Sequence, residues 1–446
     1  MAFLNFIETL YGTFRGYNRL QIRKACKRNT QFEGANLAEL QEHLLKHRIK
    51  HLAQNCPDYF NILNIPTPDS KETNLRFSNL PIWTREHQNQ WFSQQMEAPV
   101  QGATAHATGG STGEPTRLWI SRESYEWRCA VTQRGYSWAG AEDGKKAVYV
   151  WGAPAKPLPK WKIAKQQFHH RLLGRHIFNS FDFGEDRMEL CCELINTVKP
   201  DTIIGYSGNL IALSQYVEQY PDKLRWKAKT AVGGAEGMDS NQRLRLEKYL
   251  VDELFMSYGS REFMLIGMEH KDHDGYWLMD DNLYVEVVDD EGQVLPPGKS
   301  GRILVTDLNN YASPMIRYEI GDIGTMAEYD PKNPLPFRKL ASVDGRSNEF
   351  IELPEGKRMT ALFLPHLMKE FPAIRGYQIG QRNQLGMELH LVADSPVDAQ
   401  TSAEIKNAFY QYLPHDFSIE TQRVKELKRK ANGKTPLVIL LDANNS

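Results

Sequence analysis

Apolar residues recur at helical spacing in the first part of the chain. From position 36 they fall on one face of a helix, at Leu37, Leu40, Leu44, Leu45, Ile49 and Leu52. Asn36 is the predicted N-cap of this helix, because Glu39 follows three residues later. Pro66 and Pro68 then predict a loop over residues 61–69. We therefore expect an amphipathic helix packed on a larger body.

Short apolar runs that end near glycine dominate the middle of the chain. The runs at 147–151, 202–206, 229–232 and 255–258 predict buried strands, and helical patterns follow at 210–217 and 244–250. A further strand is predicted over 116–121. Strand, turn and helix repeated in this way are typical of a wound α/β sheet, which binds its ligands at the carboxyl ends of the strands. The predicted fold class is α/β.

Beyond residue 283 the pattern turns to strands, with runs at 284–288 and 302–306 separated by turn residues. After residue 345 it mixes helical segments (361–371 and 402–413) with strand-like ones (388–392 and 437–441). We predict a large N-terminal domain over 1–346, made of wound α/β sheets with a β-rich segment. A small, mobile α+β domain is predicted over 347–446, since about 100 residues with their own elements suffice for a domain.

Composition narrows the class of partner. Lys and Arg total 54 and Asp and Glu total 55, so the net charge of −1 gives no electrostatic reason to expect nucleic acid or an anionic membrane. No stretch approaches the ~20 apolar residues of a membrane span, and the N-terminus lacks the pattern of a signal peptide. Five cysteines without a CxxC pair are typical of reduced thiols. We expect a soluble cytoplasmic protein with a small-molecule partner, and a homodimer stays open.

A segment rich in glycine and hydroxyl residues carries the first chemical signal. It consists of Thr108, Gly109, Gly110, Ser111, Thr112 and Gly113. Its glycines free the backbone to turn N–H groups inward, and its hydroxyls add further donors, which suits a polyphosphate. The segment lacks the lysine of a Walker loop. By itself it fits a mobile surface turn equally well.

Further short motifs follow in a fixed order. They are GGAE at 233–236, YGSRE at 258–262, IRYEIGD at 316–322, GRS at 345–347 and NGK at 432–434. Each is weak alone, but the whole series resembles the adenylate-forming ligase superfamily. Within it, the series resembles the phenylacetate–CoA ligase-like branch that includes capsular-polysaccharide-associated members. The similarity runs from about residue 40 to about residue 440.

The resemblance implies an enzyme of the acid–thiol ligase type. Such an enzyme uses ATP and Mg²⁺ to activate a carboxylic acid as its acyl-AMP and then transfers the acyl group to coenzyme A. In the nearest relatives the acid is aromatic. The acid pocket is expected around Tyr136, residues 151–153, Tyr206, Ser207 and Gly234.

The resemblance also implies roles for individual residues. The loop from Thr108 to Gly113 would hold the β- and γ-phosphates, with Ser111 and Thr112 on the leaving pyrophosphate and Thr112 counted as catalytic. The backbone of Gly234, Ala235 and Glu236 would lie along the adenine. The Tyr258 ring would stack on the adenine, with Gly259 and Ser260 beside it. These residues form the predicted nucleotide site.

Four charged residues complete the implied site. Glu262 would bind Mg²⁺, a hard cation that prefers carboxylate oxygen. Asp322 would accept hydrogen bonds from the ribose hydroxyls, and Arg346 would contact ribose and phosphate. Lys434 would place its ammonium between the attacking carboxylate and the α-phosphate, where charge develops in the transition state. Arg317 stays open between a direct role and a structural ion pair.

The chain departs from the family pattern at three places. Glu114 stands where many relatives carry a lysine, and residues 347–349 replace the usual acidic hinge pair with Asn-Glu. Some branch members carry a Cys/His zinc site after the tyrosine–glycine motif. Here His270 and His273 have no cysteine nearby, so we predict solvated histidines and no metal site.

Several alternatives remain open at this stage. The acyl group could pass to an amine, a hydroxyl or a carrier protein, or the enzyme could adenylylate a phenolic cofactor. The chain could instead be a nucleotide-binding protein without turnover, of which Glu114 would be the first sign. An unrelated α/β enzyme that matches the motifs by accident is the last alternative, and the order of the motifs argues against it.

Overall fold

An eleven-stranded mixed sheet is the largest element of the structure, which is a computed structural model. The structure describes residues 19–32, 34–65, 80–96, 100–107, 116–151, 161, 164, 168–171, 173–180, 183–235, 237–330, 332–346, 350–354, 358–361, 364–368, 371, 373–393, 396–410, 413–414, 416–425, 427–428 and 437–441. Side chains at 34–35, 345–346, 350, 358–360, 365–366 and 375 are outside this description. The chain divides into two compact units, residues 1–106, 117–320 and 324–343, and residues 107–116, 321–323 and 344–446.

Helices precede the sheet in the first unit. They are α1 (Arg19–Asn29), α2 (Gly34–Asn55), α3 (Pro57–Ile62) and α4 (Arg85–Gln94). The helix predicted from the leucine stripe is confirmed as α2, but it begins at Gly34, so Asn36 lies inside it and the predicted N-cap is wrong. The stripe determines which face is buried, whereas the first turn extends through Ala35, a strong helix former. The predicted loop also begins later, after α3 ends at Ile62.

A parallel half of the sheet follows a two-stranded sheet of β1 (Ala103–Ala107) and β2 (Arg117–Ser121). Its strands are β3 (Ala147–Trp151), β4 (Arg175–Asn179), β5 (Thr202–Tyr206), β6 (Ala228–Gly234) and β7 (Val251–Ser260), in the order β4-β3-β5-β6-β7. α5 (Arg122–Trp138) precedes these strands, and α6 (Glu185–Val198), α7 (Ser207–Gln219) and α8 (Ser240–Tyr249) lie between them along the chain. The predicted wound α/β arrangement is confirmed.

Both faces of this parallel half are buried. Val148, Val150 and Ile203 point into a core with α6, α7 and α8. Their neighbours Ala147 and Ile204 point to the other face, into a core with α5. Successive side chains of a strand alternate between faces, so a strand covered on both sides needs a continuous apolar run. The apolar runs in the sequence therefore predicted these strands.

An antiparallel half continues the same sheet. Its strands are β8 (Met264–Met268), β9 (Tyr276–Leu278), β10 (Leu283–Val288), β11 (Ser300–Asp307), β12 (Tyr318–Met326) and β13 (Lys339–Arg346), in the order β8-β9-β13-β12-β11-β10 after β7. Four buried carboxylates pair with arginines here: Arg128–Asp307, Arg134–Asp281, Arg317–Glu286 and Arg338–Asp280. No helix among the described residues is long and apolar enough to cross a membrane.

The second unit has its own sheet and core. Its elements are β14 (Phe350–Glu352), β15 (Arg358–Thr360), α9 (Leu364–Met368), β16 (Ile374–Asn383), β17 (Gly386–Ala393), α10 (Ala399–Phe409), β18 (Ser418–Arg423) and β19 (Val438–Leu440). Four strands pair in the order β18-β17-β16-β19, and Leu389, Leu391, Ile405 and Phe409 are fully buried in the core. The predicted boundary between residues 346 and 347 stays a prediction.

Candidate active site

The carboxyl ends of β5, β6 and β7 lie side by side at one edge of the sheet. Tyr206 on β5 pairs with Gly234 on β6, and Gly233 pairs with Met256 on β7. The glycine motif and the tyrosine–glycine motif, which are separate in the sequence, therefore end neighbouring parallel strands. Ligands of wound α/β sheets bind at this edge.

Two serines hold the backbone of the glycine motif. Ser257 Oγ donates to the carbonyl of Gly233 at 2.9 Å, and Ser207 Oγ donates to the carbonyl of Gly234 at 3.2 Å. A Cβ on Gly234 would lie 2.6 Å from Ser257 Oγ, so a larger residue would displace that hydroxyl or shift the strand. Ala235 follows with φ of +73°, a left-handed conformation that alanine rarely adopts. Hydrogen bonds thus fix the backbone of the motif, in which Gly233 and Gly234 are buried and Ala235 is exposed.

Ser257 was missed by the reasoning from sequence. Its position directly before Tyr258 was the available signal, but a lone serine at a strand end carries no chemistry by itself. Ser207 was predicted only as part of the acid pocket. The structure instead makes both hydroxyls positioning groups for the glycine motif, because each bonds a main-chain carbonyl.

The tyrosine–glycine motif forms the crossing from β7 into β8. A Cβ on Gly259 would lie 2.3 Å from the carbonyl of Met264, so only glycine fits there. Ser260 Oγ accepts from the N–H of Phe263 at 3.3 Å and shapes the turn that follows. The Tyr258 ring is 8% exposed, with its centroid 6.2 Å from that of Tyr276 in an edge-on contact. The motif thus sets the position of both Tyr258 and the turn.

Glu262 lies in this turn and is 8% exposed. Its main-chain carbonyl accepts from Nη1 of Arg128 at 2.5 Å, and Nη2 of the same arginine pairs with Asp307 at 2.6 Å. No residue that the structure describes forms a hydrogen bond or ion pair with the Glu262 carboxylate. Nor do the described residues include three or more His, Cys, Asp or Glu side chains grouped to hold a metal ion. One free carboxylate fits Mg²⁺, which commonly takes one or two carboxylates together with substrate phosphates.

Aromatic rings occupy the ends of β3 and β5. The rings of Trp151 and Tyr206 stack with centroids 4.2 Å apart and planes 25° apart. Tyr136 on α5 belongs to the apolar cluster on the same face as Trp151, and burial raises the pKa of its hydroxyl. Of the three predicted pocket residues, Trp151 and Tyr206 are therefore in direct ring contact at the site edge.

Several predicted site residues lie outside the described part of the chain. They are Thr108, Gly109, Gly110, Ser111, Thr112, Gly113, Glu236 and Lys434, together with Gly152 and Ala153 of the predicted acid pocket. The Arg346 backbone ends β13, and its side chain is likewise not described. Asp322 lies within β12, partly exposed, directly after Gly321 with φ of +89°. The roles predicted for these residues stay predictions.

Arg317 is fully used in structural contacts. Its Nε lies 3.2 Å from Glu286 Oε2, Nη1 donates to the carbonyl of Leu80 at 2.7 Å, and Nη2 donates to the carbonyl of Gly292 at 2.7 Å. The residue is 3% exposed. Of the two readings that the sequence left open, the structural ion pair is the one these contacts favour.

The prediction of solvated histidines is wrong. His273 lies between two carboxylates, with Nδ1 3.1 Å from Glu269 Oε2 and Nε2 3.0 Å from Glu253 Oε1. His270 packs edge-on against the Trp138 ring, and burial lowers its pKa. Its Nδ1 is buried and has no hydrogen-bond partner in the described part of the chain. These partners come from other elements, so residue spacing along the chain gave no sign of them.

Comparison with known proteins gives sequence relatives over most of the chain. The phenylacetate–coenzyme A ligase of Pseudomonas putida is 26% identical over 253 residues, 55% of each chain. That of Aromatoleum evansii is 24% identical over 326 residues, 71% of each chain. Protein CapK of Staphylococcus aureus is 20% identical over 72% of this chain and 70% of its own. The chain thus spans about half the length of the Pseudomonas relative.

A family model and solved structures agree with these relatives. The CapK C-terminal domain model matches residues 351–440. A 2-hydroxyisobutyryl-CoA ligase in its postadenylation state superposes with a TM-score of 0.64, 17% identity and coverage of 93% of this chain and 91% of its own. The same ligase in its thioesterification state gives a TM-score of 0.61. The resemblance predicted from the motifs is confirmed, and the fold is the one these ligases share.

Proposed function

We propose that this chain, which is similar to phenylacetate–CoA ligases and to CapK, is an ATP-dependent adenylate-forming ligase. It would activate a carboxylic acid as acyl-AMP and transfer the acyl group to coenzyme A. One observation carries the proposal. The glycine motif at 233–235 and the YGSRE motif at 258–262 end neighbouring strands at the carboxyl edge of the parallel sheet.

The glycine motif supports binding of a flat base. Ala235, the exposed end of the motif, would present its main chain to a planar ring, and the glycines before it let Ser207 and Ser257 pack close behind that main chain. The bonds from Ser207 and Ser257 hold the two carbonyls in place, so the surface needs no reorganisation when the nucleotide binds. Tyr258 at the neighbouring strand end would supply the ring that stacks on the base.

The first half-reaction joins acid and nucleotide. A carboxylate oxygen attacks the α-phosphorus of ATP, the new P–O bond forms, and the bond to pyrophosphate breaks. Ser111 and Thr112 would bind the leaving pyrophosphate. Glu262 would hold Mg²⁺, which neutralises phosphate charge when bound. Lys434 would stabilise the negative charge that develops at the α-phosphate.

The second half-reaction releases AMP. The thiol sulfur of coenzyme A attacks the acyl carbonyl, a C–S bond forms, the C–O bond to AMP breaks, and the thiol proton leaves. Relatives named phenylacetate–coenzyme A ligase support coenzyme A as the acceptor. Hydroxylamine, other amines and a carrier protein are the competing acceptors to include in an assay.

The acid is proposed to be aromatic. The stacked rings of Trp151 and Tyr206 present a flat apolar surface at the same strand ends as Gly234. An aryl acid would then show a higher kcat/KM than an alkyl acid of equal length. Replacement Trp151→Leu should reduce that preference, and a preference that stays the same would contradict the assignment.

The decisive measurement is ATP–pyrophosphate exchange over a panel of aryl and alkyl acids. We expect acid-dependent exchange, and Lys434→Ala should lower it by a factor of ~100 to ~1,000, the usual loss for such a transition-state donor. Lys428→Ala is the matched control, because Lys428 is exposed and its main chain, through N–H and C=O, bonds Gln378. Exchange that no acid stimulates would contradict the proposed function. Exchange that survives Lys434→Ala would contradict only the role of that lysine.

A further inference from the structure

A separate pocket lies at the opposite, amino-terminal edge of the parallel strands. It has a volume of about 380 Å³ and is lined by Asn196, Lys199, Arg225 and Trp226. Lys199 follows the end of α6, and Arg225 and Trp226 directly precede β6. This volume is within the range of small-molecule sites.

Hydrogen bonds fix the walls of this pocket. Asn196 Oδ1 accepts from the N–H groups of Arg225 and Trp226 at 2.7 and 3.0 Å. Its Nδ2 donates to the carbonyl of Lys223 at 2.8 Å. The indole N–H of Trp226 donates to the carbonyl of Pro200 at 2.9 Å, which sets the orientation of the ring. The pocket is therefore preorganised.

The charges around the pocket are unevenly compensated. Three nearby lysines pair with carboxylates: Lys223–Glu189, Lys227–Asp252 and Lys229–Asp201. Lys199 and Arg225 are both exposed, and no carboxylate among the described residues forms an ion pair with either. Both cations that line the pocket are thus without an ion-pair partner among these residues.

Lys199 also has an unusual backbone conformation. It caps the C-terminus of α6 with φ of 52° and ψ of 63°, where glycine is the usual residue. Its Nζ lies 5.7 Å from the centroid of the Trp226 ring. A helix C-terminus carries roughly −0.5 of a charge, which by itself favours a cation there. Two full positive charges exceed this half charge, so the pocket is net positive.

We infer that this pocket binds a phosphomonoester carried on a ring. A phosphate dianion matches two uncompensated cations, and its oxygens suit the fork of Arg225 and the ammonium of Lys199. The fixed indole of Trp226 offers a flat face for the ring, which can be a sugar or a nucleobase. This site lies at the other end of the strands from the candidate active site and does not depend on the proposed function.

Calorimetric titration with glucose 6-phosphate and with AMP tests the inference. Lys199→Gly removes the ammonium and relieves the left-handed strain, so this variant should fold at least as well as the wild type. It and Arg225→Gln should each weaken binding at least about tenfold, the usual effect of losing a charge-assisted hydrogen bond. Lys229→Gln is the control, since it removes a charge at the same edge that is already paired with Asp201.

The two ligands identify the ring. AMP is also the expected ligand of the candidate active site, so the wild type would bind two equivalents of AMP. The equivalent bound in the pocket is the one that Lys199→Gly should remove. Loss confined to glucose 6-phosphate assigns a sugar phosphate, and loss confined to AMP assigns a nucleotide. Three results would overturn the inference: no binding of either ligand to the wild type, unchanged affinity in both pocket variants, or inorganic phosphate binding as tightly as the phosphomonoesters.

Discussion

In the parallel half of the large sheet, β3 to β7, helices cover both faces and the inward side chains are mainly apolar. In the antiparallel half, β8 to β13, arginines are buried against carboxylates. Arg317 and Glu286 are both below 5% exposed, and so are Arg128 and Asp307. A parallel sheet covered by helices on both faces gains its stability mainly from buried apolar area. The other half combines apolar burial with buried charge.

The two halves of the sheet contribute to the candidate site in different ways. The parallel half leaves its carboxyl strand ends to glycine, serine and aromatic residues, which shape a surface without fixing strong charges on it. The antiparallel half supplies anchoring instead. Arg128 pairs with Asp307 and bonds the carbonyl of Glu262, so a buried ion pair positions the turn that carries the predicted magnesium ligand.

The largest effect is expected from breaking one buried ion pair. Arg317→Leu leaves the Glu286 carboxylate buried and unpaired, and two carbonyls lose their donor. The free energy of unfolding should fall by about 3–5 kcal/mol, which urea unfolding measures. A loss below about 1 kcal/mol, the range of exposed pairs, would contradict the contrast between the two halves.

Two further variants sharpen this test. Arg317→Leu combined with Glu286→Leu removes both charges and should recover part of the loss, because an apolar pair can replace a buried ion pair. In the parallel half, Ile203→Val removes one methyl group from a fully buried position and should cost about 1 kcal/mol.

The second prediction concerns Gly234 at the site edge. Gly234→Ala places a Cβ 2.6 Å from Ser257 Oγ, so the bond from Ser257 to Gly233 must break or the strand must shift. We expect kcat/KM for ATP to fall by up to about 100-fold, the scale of a displacement near 1 Å at a site. The double variant with Ser257→Ala relieves the collision and should recover part of the activity, because the bond from Ser257 to Gly233 stays lost. Failure to recover would indicate that the glycine is needed for another reason.

The smallest effect is a dependence of stability on pH. Burial lowers the pKa of His270 below its usual value of 6.5, so the unfolded state binds more protons in that range. Stability that is complete above pH 6.5 should therefore decline as the pH falls below it. His270→Asn should reduce this slope in thermal unfolding, whereas His43→Asn, on the exposed face of α2, should not. Equal slopes in both variants would contradict the assignment to His270.

The strands at 147–151 and 202–206 were predicted at their observed bounds, because each is a continuous apolar run buried on both faces. β4 was missed, since Arg175 and His176 make it polar at the start and it lies at the sheet edge. Prediction of the site was limited in the same way, to features that are local in the sequence. The glycines and Tyr258 could be identified from short motifs. Ser257 could not, because it acts only through a carbonyl on the neighbouring strand.

The sequence by itself determined the α/β class, the buried parallel strands and the order of the motifs that predict a nucleotide site, because periodicity and short motifs are local properties of the chain. Tertiary structure decided what depends on pairing between distant residues. It placed Arg317 with Glu286 and put His273 between Glu253 and Glu269. It also brought Lys199 and Arg225 together in one pocket, where no described carboxylate pairs with either. Charges interact over a few ångströms in space, so the fold determines which residues become partners. Residue spacing along the chain does not predict such pairs.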